Sequence, residues 1–218
     1  MVEIITIDGP ASVGKSTLAK KISNYYKVPL LNSGRLYRAV ALKMINNKIN
    51  IRNKYKILHC AQTLTNKNIN SKDLFSSKID KIASEISKKK YLRDQLKIYQ
   101  REFPKKYTGK KFVVIEGRDI GTEIFPHAKI KIFMWADAKI RARRRYLQFL
   151  KKGGKCSLKR IYKEIVARDI NDLNRKIAPL QPAVNSVLLD TSYLDIEQAF
   201  NVLKKLLVNK FYEARISE

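Results

Sequence analysis

The feature that most limits what this chain can fold into is the run Gly9-Pro10-Ala11-Ser12-Val13-Gly14-Lys15-Ser16, followed by Thr17. It satisfies the pattern Gly-x-x-x-x-Gly-Lys-Ser in full, between a short apolar segment (3–7) and an amphipathic one (15–27). A strand that turns through glycines into a helix points several backbone N–H groups inward and sets the positive end of a helix beside them. Glycine permits the close approach, Lys15 reaches β- and γ-phosphates, and the Ser16 hydroxyl is a ligand for Mg²⁺. The loop from Gly9 to Thr17 therefore reads as the cradle of a nucleoside triphosphate, ATP in the simplest case.

The remainder alternates in the same way. Strands are predicted over 28–31, 112–115, 130–134 and 187–189, in addition to 3–7. Helices are predicted over 34–47, 54–65, 76–103 (in one piece or two), 139–151, 158–174 and 196–212. Short apolar strands separated by helices predict an α/β fold, a five-stranded parallel sheet with helices on both faces. No Pro/Gly/Ser-rich linker and no internal repeat interrupts residues 1–218, so one domain is expected. Trp135, at a strand end, is assigned to the core or a pocket wall, and His59 and His127 to structural roles.

The net charge is +27, from 46 Lys and Arg against 19 Asp and Glu. Such a field suits nucleic acid, and equally suits polyphosphate substrates. Part of it is compositional, since Asn, Lys and Ile recur over 45–51 and 66–70, but the arginines cluster. Cys60 and Cys156 stand far apart without metal-ligand spacing, as reduced thiols of a cytoplasmic protein do. The N-terminus is too short and acidic for a signal peptide, and no apolar run approaches the ~18 residues of a membrane span. A monomer is expected, with small-molecule nucleotides as partners and neither nucleic acid nor membrane.

No Asn-Lys pair is followed by Asp two places on, which removes the guanine-reading segment of a GTPase. What remains is a compact kinase with a small acceptor, and such an acceptor needs a second basic site. Candidates are Ser33-Gly34-Arg35-Leu36-Tyr37-Arg38 after the second strand and Glu116-Gly117-Arg118-Asp119 after the third. Further candidates are the cluster Arg141, Arg143, Arg144 and Arg145, and the run from Arg168 to Arg175, whose Arg168, Asp172 and Arg175 would share a helical face. On these residues alone the acceptor stays open, UMP and shikimate included. A P-loop protein that binds nucleic acid is the alternative from a different class.

The set narrows when the motifs are taken in order. Asp8-Gly-Pro…Gly-Lys-Ser-Thr17, Leu31-Asn-Ser-Gly-x-x-Tyr-Arg38, Gly117-Arg-Asp-Ile-Gly-Thr122, Phe125-Pro126 and Arg168-Asp-x-x-Asp-x-Asn-Arg175-x-x-x-Pro179-Leu180 together resemble the bacterial cytidylate kinase family over nearly the whole chain. The resemblance implies Mg²⁺-dependent transfer of the ATP γ-phosphoryl group to CMP or dCMP. It implies a monophosphate-binding helical region over 33–106 and a lid over 141–170, with 146–157 as its mobile part and Gly153 and Gly154 as hinge or turn glycines. It puts Arg38 and Arg118 on the acceptor phosphate and Ser33, Asp119, Arg93 and Arg175 on cytosine. Ser84, Arg168 and Asp172 fall to the ribose, and Arg141, Arg144 and Arg145 to the donor phosphates. Lys15, Arg118, Arg38, Arg144 and Arg145 would then carry catalysis by neutralising charge. The chain departs from the family pattern at Glu116, where Asp is usual. It departs again over 63–73, too short for a small β-rich insertion that many members carry, which would loosen base selectivity.

Overall fold

The apolar segment that precedes the glycine-rich loop becomes the central strand of a sheet. In this computed structural model, which describes residues 2–151, 153, 154 and 156–216 (side chains to 210), β1 (Glu3–Asp8) lies in the middle of the order β2-β3-β1-β4-β5. The other strands are β2 (Leu30–Asn32), β3 (Phe112–Glu116), β4 (Ile130–Trp135) and β5 (Val187–Asp190). β1 runs parallel to β3, with Ile7 opposite Glu116, and parallel to β4, with Ile7 opposite Ile132; β4 and β5 are also parallel. The helices are α1 (Lys15–Tyr26), α2 (Ser33–Asn46), α3 (Lys54–Gln62), α4 (Asn66–Asn70), α5 (Ser77–Ile86), α6 (Lys90–Glu102), α7 (Ala138–Lys151), α8 (Leu158–Leu173) and α9 (Ile196–Ile216).

Successive side chains of a strand point to opposite faces, and β1 uses both. Ile5 and Ile7 pack with Leu18, Ala19 and Ile22 of α1 and with Phe200, Leu203 and Leu207 of α9. Thr6 and Asp8, also buried, take the other side of the strand. Every residue of β3 is buried, as expected of a strand covered on both faces.

The chain divides into two units, residues 1–30 with 107–218, and residues 31–106. The first holds the glycine-rich loop and β1, β3, β4 and β5. The second is helical, with a core of its own in which Leu36, Val40 and Met44 of α2 meet Ile57, Ile79, Ile86, Leu92 and Leu96.

The structure settles several points that the sequence left open. The helical stretch 76–103 comes as two helices, because Lys89 is extended (φ −84°, ψ 114°) between α5 and α6. The short segment 63–73 is helical, where Thr65 caps α4 through a reciprocal box with Asn68; its Asn- and Lys-rich sequence carries too little apolar periodicity to have predicted this. Trp135 is 48% exposed, so it is no core residue, and the Arg141 guanidinium lies 5.9 Å from its ring. Of the segment 146–157, residues up to Lys151 continue α7, while Lys152 and Lys155 lie outside the described residues. Gly153 has φ +73°, and Gly153 and Gly154 return N–H bonds to Leu150 and Phe149, which closes α7 as a left-handed glycine cap does. Among the described residues no helix is long and apolar enough to cross a membrane.

Candidate active site

The loop after β1 is shaped by contacts that only glycine allows. At Gly9 (φ +146°) a Cβ would stand 2.2 Å from the Met134 carbonyl oxygen, so β4 passes directly behind the loop. Gly14 (φ +104°) is the N-cap of α1 and brings no side-chain oxygen to the first turn. The N–H groups of that turn are thereby left to an anion. Lys15 is buried and donates from Nζ to the carbonyls of Gly9 (2.8 Å) and Pro10 (2.7 Å). An ammonium carries three N–H donors, and these carbonyls engage two. Burial and the nearby Arg118 drive the Lys15 pKa down, against the pull of Glu116 and Asp8, with Arg168 adding to the fall. Arg118 and Arg168 are thus near enough for Lys15 to feel their charge, with Glu116 and Asp8 as counter-charges. Ser16 and Thr17 stand exposed beside it, whereas Ser12 accepts from Arg145 at 3.5 Å.

The basic residues of the first unit are held by partners far away in sequence. Arg118 donates from Nε to Asp172 (2.9 Å), and Arg175 Nη1 lies 3.9 Å from the other carboxylate oxygen. Burial alone would raise the Asp172 pKa, but Arg118, Arg175 and Arg168 outweigh it and hold the carboxyl below its usual range. Arg175 lies past the end of α8, which stops at Leu173, so the expected shared helical face holds for Arg168 and Asp172 only. Asp119 is buried beside Arg118 at the mouth of a single π-helical turn over Ile120–Ile124.

Two lid arginines occupy places that their expected roles do not describe. Arg141 is 1% exposed; its guanidinium donates to the carbonyls of Ala136 (2.8 Å) and Ala11 (3.0 Å) and pairs with Asp169 (2.6 Å). It underpins the glycine-rich loop from inside. Arg144 donates to the Thr191 carbonyl, to Thr191 Oγ1 (3.3 Å) and to the Leu194 carbonyl (3.0 Å), and burial lowers its pKa.

Ser33, Arg38, Ser84 and Arg93 all belong to the helical unit. Ser33 is buried at the start of α2, and Arg38 donates to Asp80 at 2.8 Å. The Phe75 ring lies 5.4 Å from the Arg38 guanidinium and 5.2 Å from that of Arg35. Arg93 is buried and donates to the Ser87 carbonyl (3.1 Å), one turn after the half-buried Ser84.

Three residues escaped the sequence reading. Asp8 accepts from the N–H groups of Ile120 (2.9 Å) and Gly121 (2.7 Å). Asp169 neutralises Arg141. The buried Thr191 holds Oγ1 within reach of the Trp135 (3.1 Å) and Val13 (3.4 Å) carbonyls and so ties the end of β4 to the glycine-rich loop. Asp8 and Asp169 stand inside the quoted motifs without an assigned role, and Thr191 carried no signal.

The sequence matches the family model for cytidylate kinase over residues 5–209. The chain belongs to the cytidylate kinase family. It is 39% identical over 199 residues to a cytidylate kinase of Bartonella tribocorum, covering 91% of each chain. It is 38% identical over 213 residues to the one of Bartonella henselae, covering 98% of this chain and 97% of that one. A crystal structure of an uncharacterized protein from Eubacterium ventriosum superposes with a TM-score of 0.51 at 14% identity, over 94% of this chain and 97% of that one, and shows the fold alone. Every motif that suggested cytidylate kinase lies within the matched span.

Proposed function

We propose that the protein transfers the γ-phosphoryl group of ATP to CMP or dCMP, giving ADP and CDP or dCDP, by direct in-line displacement. The observation that carries this reading is the glycine-rich loop itself, where Gly14 leads into α1 without a side-chain cap and the buried Lys15 engages two carbonyls through Nζ. A buried ammonium beside a helix N-terminus is suited to phosphate oxygens. Family membership supplies the acceptor, since the relatives are named for cytidylate.

The residues fit the donor. The uncapped first turn of α1, the left-handed Gly14 and the third N–H of Lys15 suit phosphate oxygens. They also fit Mg²⁺, which is bound through one or two protein oxygens together with substrate phosphates, and the exposed Ser16 hydroxyl is such an oxygen. When bound, the ion would supply positive charge against the charge that develops during transfer. The chain's own part is to place and to balance charge. Lys15 would follow the transferring group, while Arg118, fixed through Nε by Asp172, would turn its outer N–H edge to the acceptor phosphate. Arg38 is the other arginine that the family motif assigns to that phosphate. Ser33, Asp119, Arg93 and Arg175 would read cytosine; Ser84, Arg168 and Asp172 would hold the ribose. Arg145 would reach the donor phosphates, with Arg141 and Arg144 bracing the loop that binds them. The cysteines are both free, in keeping with a cytoplasmic setting.

An acceptor screen tests the proposal. With ATP and Mg²⁺ present, ADP release should depend on added CMP or dCMP, and UMP, AMP and shikimate should be poorer acceptors. Release that is independent of acceptor, or greatest with shikimate or AMP, contradicts it.

A further inference from the structure

Asp8 is the last residue of β1 and stands directly before Gly9, yet its carboxylate faces the segment after β3. Oδ1 accepts from Ile120 N–H at 2.9 Å and Oδ2 from Gly121 N–H at 2.7 Å. A third bond, from Gly117 N–H to the Ile7 carbonyl at 3.0 Å, lies on the other side of the same segment. Arg118 and Asp119 are therefore bracketed, three bonds fastening the residues around them to the strand end from which the glycine-rich loop starts. The fit is close. A Cβ on Gly121 would stand 3.0 Å from Thr6 Oγ1, 3.3 Å from Ala183 Cβ and 3.4 Å from Asp8 Oδ2, so a larger residue fits only if these neighbours give by a few tenths of an ångström.

We infer that Asp8 is a positioning residue: by gripping the Ile120 and Gly121 N–H groups it sets Arg118 and Asp119 on the acceptor relative to Lys15 on the donor. A carboxylate suits this task because each oxygen accepts without needing to donate. An asparagine keeps the shape but presents an NH₂ to one of the two N–H groups. The charged groups that face Asp8 are Asp119, beyond the turn, and Lys15, from α1; across the sheet β4 opposes it with Phe133. Burial raises the Asp8 pKa to about 7, against the lowering by the two N–H bonds, with Asp119 adding to the rise and Lys15 opposing it. The two-bond grip is that of the ionised form, which gains population as pH rises through about 7.

This inference rests on the acceptor reading above, and the test separates the two. kcat and KM are measured for CMP and for ATP in wild type and Asp8→Asn, from pH 6 to 8.5. The expected result is a fall in kcat/KM for CMP of about 10- to 100-fold, the size of a lost hydrogen bond to a charged group. The KM for ATP should stay within about threefold, because the glycine-rich loop keeps its own contacts. The wild-type-to-variant ratio should grow with pH through about 7, a dependence that CMP's own ionisation cannot produce since both proteins see the same substrate. Equal losses for CMP and ATP, no loss, or a pH-independent ratio overturns the inference. Should Asp8→Asn fail to fold, Gly121→Ala, which crowds the turn against Thr6 and Ala183 beside the carboxylate, is read by the same CMP-against-ATP comparison. If wild type prefers another monophosphate, the acceptor reading falls, and the ratio is read with that monophosphate instead.

Discussion

Arg141 in the first unit and Arg38 in the helical unit are held in opposite ways. Arg141 is buried and braced by partners from remote sequence, Asp169 and the Ala11 carbonyl, as the 120–121 turn is by Asp8. In the helical unit Arg93 is buried too, but Arg35 and Arg38 are half-buried. Arg35 donates to the carbonyls of Ile69 (2.6 Å) and Ser71 (3.2 Å), and the Arg38–Asp80 pair is partly exposed at 16% and 20%. A buried charge that loses its partner has no water to fall back on, whereas a half-exposed one does. The Arg141 brace is thus built to hold geometry, as a site that stabilises developing charge must be. The Arg38–Asp80 pair loses less when it is broken.

Breaking the comparison at its strongest point means removing Asp169. In Asp169→Ala the Arg141 guanidinium would remain 1% exposed with no carboxylate, so unfolding free energy should fall by about 3–5 kcal/mol in chemical denaturation. A loss near that of a surface pair would show that Arg141 is no more tightly braced than Arg38.

Lys15→Ala should come next. The fold survives, because the bonds lost are to carbonyls of the same loop, but kcat should drop on the order of 10²–10³. Near-normal turnover in folded protein would remove the mechanism. Asp119 and Arg118 then sharpen the account within the first unit. Asp119→Ala should lower kcat/KM for CMP by about 10-fold or more and for UMP little, since uracil lacks the amine that a carboxylate accepts from. Arg118→Ala should lower both alike, for both share the phosphate. Arg118 is braced by Asp172; an unchanged CMP-to-UMP ratio in Asp119→Ala would return Asp119 to a structural role. The smallest effect belongs to the helical unit, where Asp80→Ala should cost about 1 kcal/mol, as partly exposed pairs do.

The fold was largely legible because its signals are local: apolar strands between amphipathic helices, and a glycine loop that only one strand–helix junction satisfies. The donor loop was legible for the same reason. The bracing was not. Nothing near Arg141 marks it as an interior prop, because its partners are backbone carbonyls at Ala136 and Ala11 and a carboxylate one turn into another helix. Asp172 sat within a motif suggestive of ribose, and its bond to Arg118, 54 positions away, depends on how α8 packs. Of the two places expected for Trp135, the core is excluded by its exposure, and the Arg141 guanidinium lies 5.9 Å from its ring.

The central claim is direct transfer to cytidylate by a braced cationic site, and the fate of the γ-phosphoryl group tests it most directly. Wild-type protein is mixed with γ-labelled ATP, Mg²⁺ and CMP, and products are separated with and without acid quench. The account predicts label in CDP, in step with ADP, and none on protein at any time. Label that accumulates on the protein, that leaves as inorganic phosphate, or that moves equally well without CMP would contradict it.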